Sequence, residues 1–410
     1  MSRLLVKCAC LSILLMASGC PKKTAKNNLS ADRIAAAKLA VDTLQATKFE
    51  EAQKIAKQVL AKDPGNSQAR VVHAICIYKK FMHNFIQDMQ TNLMAMFRAQ
   101  TINHRYLKWS FEQLDKDLAA VEEDLTVAAG DEKFFFKLCL ACWHRDWNHD
   151  GRIDERDEFL FQIELDADGN RIPQGDPRRK PTFRFDQGDL HWAWAMISFQ
   201  RVAVNLMLAY QVPEMSALRF ANDNTVITIK MVDKARVLKA RTLLLAGLEQ
   251  ADLARKSYLA ETDDEGEWVP NPTQQNHPLP LPVDSALYET WRGVVTDIQK
   301  LIKGEEGISV VEVAQLGDHK WENPPQGFID ISGLLTEPGD IILNIGNLDR
   351  LDSKRTKQDV ETVLKDIFGD KYVAKLKPTK LLWRLQRMKG EMERGEESLE
   401  RKLRYLFWLN

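Results

Sequence analysis

The chain has little cysteine and no long apolar run beyond its first twenty residues. Six cysteines occur in 410 residues, and Cys8 and Cys10 lie within the apolar run at the N-terminus. A disulfide-rich secreted scaffold is therefore excluded, because such scaffolds are short and dense in cysteine. No later segment is both long enough and free enough of charge to be predicted as a membrane span.

Familiar catalytic and nucleotide-binding motifs are missing as well. The sequence has no glycine-rich phosphate-binding loop, no G-x-S-x-G nucleophile motif and no H-E-x-x-H zinc helix. Its 57 basic and 58 acidic residues are interspersed and give a formal net charge of −1, which argues against nucleic acid as a partner. These absences leave a binding or scaffold protein, or an enzyme whose site is not recognisable from residue spacing.

The N-terminus has the organisation of a secretory signal peptide. Arg3 and Lys7 flank an apolar run that reaches Met16, and small residues then precede Cys20. This ending resembles a bacterial lipobox, in which the cysteine is diacylated, although Ala17 stands where the family usually has leucine. The resemblance implies a protein anchored by lipid at Cys20 in the bacterial cell envelope, with the outer membrane as the expected location. The alternative is an ordinary cleaved signal with an incidental cysteine.

An acidic stretch near residue 150 has the spacing of a calcium loop. Carboxylate or amide side chains recur at alternate places, and Gly151 permits the sharp turn in between. The stretch resembles an EF-hand loop, in which several oxygens converge on one ion. The ligands that this resemblance implies are Asp146, Asn148, Asp150, the carbonyl of Arg152, Asp154 and Asp157.

Calcium is the ion expected in this loop, and magnesium is the second candidate. The twelfth place is normally glutamate, and Asp157 is one methylene shorter. We expect the ion to have a structural role and to hold two packed segments together. A regulatory role, in which calcium binding changes the conformation, is the less favoured alternative. The alternative is an empty acidic turn.

Three cysteines remain once the signal peptide and the lipidated cysteine are set aside. Cys76 is isolated, whereas Cys139 and Cys142 have the C-x-x-C spacing of a redox motif within the apolar segment 134–143. A reactive cysteine needs an accessible, electropositive site. The apolar surroundings therefore favour buried core thiols over thioredoxin-like chemistry.

Residues 31–128 have alanine-rich helical patterns. Phe49, Ala52, Leu60 and a turn at Asp63 match packing and turn positions of a tetratricopeptide repeat. This resemblance covers about one and a half repeats, whereas a stable stack needs about three. It implies a helical hairpin that packs on the following helices, and not a complete peptide-binding solenoid.

The second part of the chain is predicted to contain long helices and one small hairpin. A helix over 132–145 is expected to enter the calcium loop. The segment around Asp166–Asn170 is expected to form a β-hairpin turn in preference to a second metal loop. The helix 190–211 is apolar on nearly every side, so it should be the buried spine, capped by Asp186 or Asp189.

Together these patterns predict a mainly α fold of helical hairpins and a bundle, with an EF-hand-like loop, a small β-hairpin and proline-rich wrapping loops. The predicted segments are a signal peptide (1–19), a lipidated tether (20–30), a tetratricopeptide-like helical region (31–130), an EF-hand-like loop with core helices (131–261), a proline-rich linker (262–283) and a C-terminal helical region (284–410) with a mixed segment (308–350).

The expected function is that of a lipid-anchored, calcium-binding envelope protein that acts as a non-enzymatic scaffold or interaction module. Its expected partners are the membrane, through the anchor, and a second protein or the cell-wall glycan, with no nucleic acid. The alternative is an envelope hydrolase or glycan-binding enzyme with a carboxylate and tryptophan site. A concave pocket joining paired carboxylates to Trp192 or Trp268 would favour the enzyme, and an extended apolar groove would favour the scaffold.

Overall fold

The fold is mainly α-helical, as the sequence predicts. The computed structural model describes residues 31–97, 104–144, 152–153, 162–166, 170–211, 225–277, 284–316, 325–344 and 357–392. The helices in these ranges are α1 (Ala31–Gln45), α2 (Phe49–Lys62), α3 (Ser67–Phe97), α4 (His104–Ala128), α5 (Gln187–Ala209), α6 (Lys234–Ala260), α7 (Ser285–Lys303), α8 (Val310–Leu316), α9 (Ile331–Thr336), α10 (Lys357–Phe368) and α11 (Leu381–Met392).

Short strands in the same ranges form three small antiparallel sheets. The strands are β1 (Phe135–Leu138), β2 (Phe183–Asp186), β3 (Val226–Ile229), β4 (Ile308–Ser309), β5 (Phe328–Ile329), β6 (Ile341–Asn344) and β7 (Tyr372–Val373). β1 pairs with β2, β3 pairs with β6, and β5 lies between β4 and β7. In the first sheet Phe135 is the partner of Asp186, so this ladder leads directly into the start of α5.

The N-terminal helices pack as hairpins. α1 and α2 are separated by a turn in which Thr47 has a φ of 62°, in the left-handed region. Ala52 of α2 is fully buried and Ala74 of α3 is 2 % exposed, and such small side chains let neighbouring helices approach closely. The helix ends agree with the breaks predicted near Thr47 and Asp63. The resemblance to a tetratricopeptide repeat stays a prediction.

α5 is the buried spine that its apolar sequence predicts. It packs most extensively against α6 and also against α4. The approach of α5 to α6 requires Gly247, because a β-carbon at that position would lie 2.5 Å from the ring of Phe199. No helix in the described part of the chain, α5 included, has the length and apolar character needed to cross a membrane.

The prediction of a helix over 132–145 is wrong. Residues Phe135–Leu138 form β1, with side chains alternately exposed and buried, and Leu140–Cys142 form a short 3-10 turn. Aromatic side chains pack well on a pleated surface. β2 supplies the hydrogen-bonding partner that stabilises the extended form of this segment.

The hairpin turn predicted around Asp166–Asn170 is confirmed at its two described ends. Leu165 and Arg171 form an antiparallel bridge, and the Asp166 N–H donates to the Asn170 carbonyl at 3.0 Å. The turn is therefore closed by backbone pairing, as expected for a hairpin.

The prediction that Cys139 and Cys142 are buried core thiols is also wrong. The two residues form a disulfide, and Cys142 is exposed, whereas Cys139 is 4 % exposed. Cys76, by contrast, is a free thiol in the core. Burial, assisted by the charge of Glu50, raises the pKa of Cys76 to about 12, so this thiol is unreactive near neutral pH.

A charged network crosses the core between α4, α5 and α6. Arg201 of α5 contacts both Asp115 and Glu122 of α4. Asp115, only 8 % exposed, also accepts hydrogen bonds from Lys239 at 2.7 Å and Asn205 at 3.0 Å. Burial by itself raises the pKa of Asp115, but hydrogen bonds and charges from Lys239 and Arg201 outweigh it, and the pKa lies below its usual value. The network thus stabilises ionised Asp115.

We predict that Asp115→Asn lowers the free energy of unfolding by about 3 kcal/mol near neutral pH, because Arg201 and Lys239 lose a buried counter-charge. The native pKa of Asp115 is lowered, so its stabilising contribution is present above the unfolded-state pKa of about 3.9 and is lost as the pH falls through the native pKa. Urea unfolding should show the difference from wild type shrinking below about pH 4.

The matched control for this prediction is Glu123→Gln, on the exposed side of the same helix. It should change the free energy of unfolding by less than about 0.5 kcal/mol at any of these pH values. A pH-independent effect of Asp115→Asn would contradict the prediction.

Candidate metal centre

Two carboxylates occupy the first turn of α5. Asp186 is the N-cap residue, and its side chain accepts from the Gly188 N–H at 2.8 Å. Asp189 completes a capping box by accepting from the Asp186 N–H at 2.9 Å. Asp189 also accepts from the Tyr258 hydroxyl of α6 at 2.9 Å. The cap predicted from the sequence is therefore confirmed, and both acids take part in it.

The segment that follows α6 returns to β2 and brings two glutamates to Asp186. Glu261 is the C-terminal cap of α6. A few residues later the chain reaches β2, where the Arg184 N–H donates to the Gly266 carbonyl at 3.0 Å and Arg184 forms a parallel bridge with Glu267. Glu267 is consequently 2 % exposed, at the end of β2 where α5 begins.

Asp186, Glu261 and Glu267 form a compact carboxylate cluster. One oxygen from each side chain lies within 4.8 Å of the oxygens of the other two. The guanidinium of Arg184 lies 3.5 Å from Glu267 and 2.6 Å from Asp263, so its single charge is shared between two acids. Three carboxylates this close inside a protein do not all stay ionised on their own. Either some of them take up protons, or a bound cation compensates their charge. The arrangement of the cluster therefore favours the uptake of protons or of a cation.

The pKa values of the neighbouring acids reflect this crowding. Burial, together with the charge of Asp186, raises the pKa of Glu261 to about 10. Burial raises the pKa of Glu267 to about 7, in spite of nearby Arg184. Burial and the charge of Asp186 also raise the pKa of Asp189 well above its usual value. Without an ion these groups retain protons that a dication could replace.

Asn271 clamps the segment that carries the two glutamates. Its side-chain amide donates to the carbonyls of Tyr258 at 3.3 Å and Glu261 at 3.0 Å, at the end of α6. Its side-chain oxygen accepts from both the backbone N–H and the hydroxyl of Thr273. Gln274 adds a hydrogen bond to the Glu261 carboxylate at 3.3 Å. The segment is irregular, as predicted for the linker, but it is fixed to the helix ends.

The chemistry of the cluster suits a hard divalent cation. All three candidate ligands are carboxylates, and such oxygen ligands favour calcium or magnesium over zinc and other softer metals. Among the described residues, one group of three or more acidic, histidine or cysteine side chains lies close enough together to hold an ion, and it is this cluster. The cluster is thus the candidate metal centre of the described structure.

The calcium loop predicted from the sequence lies almost entirely outside the described residues. Of its expected ligands only Arg152 is described, and Arg152 and the neighbouring Ile153 are both exposed. The expected ligands outside the described residues are Asp146, Asn148, Asp150, Asp154 and Asp157. The lipidation residue, Cys20, lies outside them too. The loop and the anchor stay predictions.

Sequence reasoning missed Glu261 and Glu267 as site residues. Glu267 belongs to the predicted proline-rich wrapping linker and Glu261 directly precedes it, and the ligand spacing follows no known motif. One signal was available. The acidic run 261–267 is enclosed by Tyr258 and Trp268, and both of these aromatic residues are buried. Large aromatic residues at each end indicate that the run between them is drawn towards the core.

Comparison with known protein families, characterised proteins and solved structures finds no match for this chain. The role of the carboxylate cluster therefore has to be inferred from its own geometry and chemistry.

We predict that Asn271→Ala lowers the free energy of unfolding by about 2 kcal/mol, because buried carbonyls at the end of α6 lose their donor. Asn276→Ala is the matched control, since Asn276 is exposed in the same segment and should cost less than about 0.5 kcal/mol. Chemical denaturation measures both values. Equal effects of the two substitutions would show that Asn271 does not clamp the segment.

Proposed function

We propose that this chain is a lipid-anchored helical protein of the bacterial cell envelope that binds a divalent cation and acts as a non-enzymatic scaffold or interaction module. Calcium is the first candidate ion. The observation that carries cation binding is the approach, within 4.8 Å, of carboxylate oxygens from Asp186, Glu261 and Glu267. The lipobox-like sequence before Cys20 supports the anchor and the location.

The position of the cluster supports a structural role for the ion. Asp186 begins α5 and Glu261 ends α6, and these two helices pack against each other. A cation held between the two carboxylates would therefore tie together the ends of the main helices of the core. Because the ligands come from separate segments, the ion binds the folded chain only and stabilises it.

The burial of the site supports a non-enzymatic role over the alternative of a hydrolase or glycan-binding enzyme. A pKa of about 7 on Glu267 would suit a general acid, but a general acid also has to contact its substrate. Glu267 is 2 % exposed and Trp268 is 3 % exposed. Trp192 packs edge-on against Trp291 at 5.1 Å. Neither Trp268 nor Trp192 is placed to stack on a sugar.

We predict that calcium raises the melting temperature of the mature protein. At a free calcium concentration about 100 times the dissociation constant, one site should add about 2.7 kcal/mol of stability. For a chain of this size that corresponds to a rise on the order of 3 °C. Thermal melting in chelator and in increasing calcium measures the effect, and calorimetry measures the number of ions bound.

Three variants distinguish the two candidate sites. Glu267→Gln should abolish the calcium effect if the buried cluster holds the ion, and Asp146→Ala should abolish it if the EF-hand-like loop does. A partial loss in each would indicate two ions. Glu265→Gln is the matched control, because Glu265 is exposed two residues from Glu267. If neither calcium nor magnesium changes the melting temperature of the wild-type protein, the proposed cation binding is overturned.

We predict that the mature protein begins with a diacylated Cys20. Intact mass spectrometry of protein purified from a bacterial envelope should show the acyl chains, and the protein should partition into detergent. Cys20→Ala should lack the acyl chains and should partition less into detergent than the wild type, because the chains supply the predicted anchor. An unmodified wild-type N-terminus would contradict the anchor and leave the cation proposal intact.

A further inference from the structure

The disulfide between Cys139 and Cys142 has one exposed and one buried end. The cysteines are separated by two residues, with α-carbons 5.3 Å apart. Cys139 ends the extended segment of β1 and is 4 % exposed, whereas Cys142 is exposed at the end of the 3-10 turn. Of the two cysteines, Cys142 is therefore the one that a thiolate from solution can approach.

The backbone around this disulfide is held in place by contacts that do not involve sulfur. The Cys139 N–H donates to Gln45 Oε1 at 2.8 Å, and the Cys139 carbonyl accepts from Gln45 Nε2 at 3.1 Å. Trp143 is 3 % exposed and packs edge-on against Phe49 at 5.3 Å. The His144 N–H donates to the Thr47 hydroxyl. None of these contacts uses a sulfur atom, so we expect them to persist when the sulfur–sulfur bond is broken.

We propose that Cys139 and Cys142 form a thiol–disulfide exchange site that oxidises dithiols. Disulfides that are exposed are the labile or catalytic ones, whereas structural disulfides resist reduction. This bond closes a loop of only four residues, so it restricts the unfolded chain less than a long-range bridge does. Accessibility on one side, fixed geometry and a small structural contribution together favour a redox role.

The exchange begins when a thiolate of the substrate attacks Cys142 Sγ. A mixed disulfide forms, the bond to Cys139 breaks, and Cys139 leaves as a thiolate that takes a proton from solvent. The second substrate thiolate then attacks the substrate sulfur of the mixed disulfide and releases Cys142. Two electrons pass from the dithiol to the two cysteines, and the substrate gains a disulfide. The Lys180 carbonyl, 3.5 Å from Cys139 Sγ, can accept a hydrogen bond from the new thiol.

The test uses the mature chain, with Cys76 left in place because its raised pKa makes it unreactive in the folded protein. Oxidised protein is mixed with reduced glutathione or with a short peptide that carries two cysteines. The reaction is quenched by acid, and mass spectrometry after alkylation counts the free thiols. We expect one peptide disulfide to form for each protein disulfide lost, with an unchanged circular dichroism spectrum. Oxidation of glutathione without oxidation of the dithiol peptide would contradict the proposed dithiol substrate.

A pair of variants tests the assignment of roles. Cys139→Ala, which keeps the exposed thiol, should form a mixed disulfide with oxidised glutathione at least about tenfold faster than Cys142→Ala, which keeps the buried one. Equal rates would overturn the proposal. It would equally be overturned if the native disulfide resisted the dithiol peptide until denaturant was added, or if its reduction unfolded the chain.

Discussion

The burial of most of α5 is the constraint on which the rest of the structure depends. Its surface is apolar on nearly every side, so other helices have to cover it, and α4 and α6 do so. Every polar group that α5 carries into the core then needs a partner there. Arg201 and Asn205 donate hydrogen bonds to Asp115, and Asp189 accepts one from the Tyr258 hydroxyl. The buried ion pairs of Arg201 with Asp115 and Glu122 therefore follow from the burial of this helix.

The two helix ends that meet at the carboxylate cluster have opposite electrostatic character. The N-terminus of α5 carries partial positive charge, whereas the C-terminus of α6, where Glu261 lies, carries partial negative charge. Burial and the charge of Asp186 raise the pKa of Glu261. A cation at this place would compensate both the buried acids and the partial negative charge at the C-terminus of α6.

Local signals in the sequence predicted the helices, and non-local pairing explains what they missed. The spine helix and its cap at Asp186 follow from periodicity and capping chemistry over a few neighbouring residues. The strand Phe135–Leu138 was not predictable in this way, because its partner β2 is remote in sequence. The approach of Glu261 and Glu267 to Asp186 depends on how α6 packs, and no spacing rule contains that information. The disulfide was not predictable for a different reason. The C-x-x-C spacing is compatible with both free and disulfide-bonded cysteines.

Asp186 is both the N-cap residue of α5 and a member of the carboxylate cluster. One of its oxygens is engaged by the Gly188 N–H. With the proposed ion in place, fraying of the first helical turn would remove a ligand, and departure of the ion would loosen that turn. Such coupling is reciprocal. A binding partner that pulls on the beginning of α5 would therefore release the ion, and the ambient cation concentration would set how readily that partner could act.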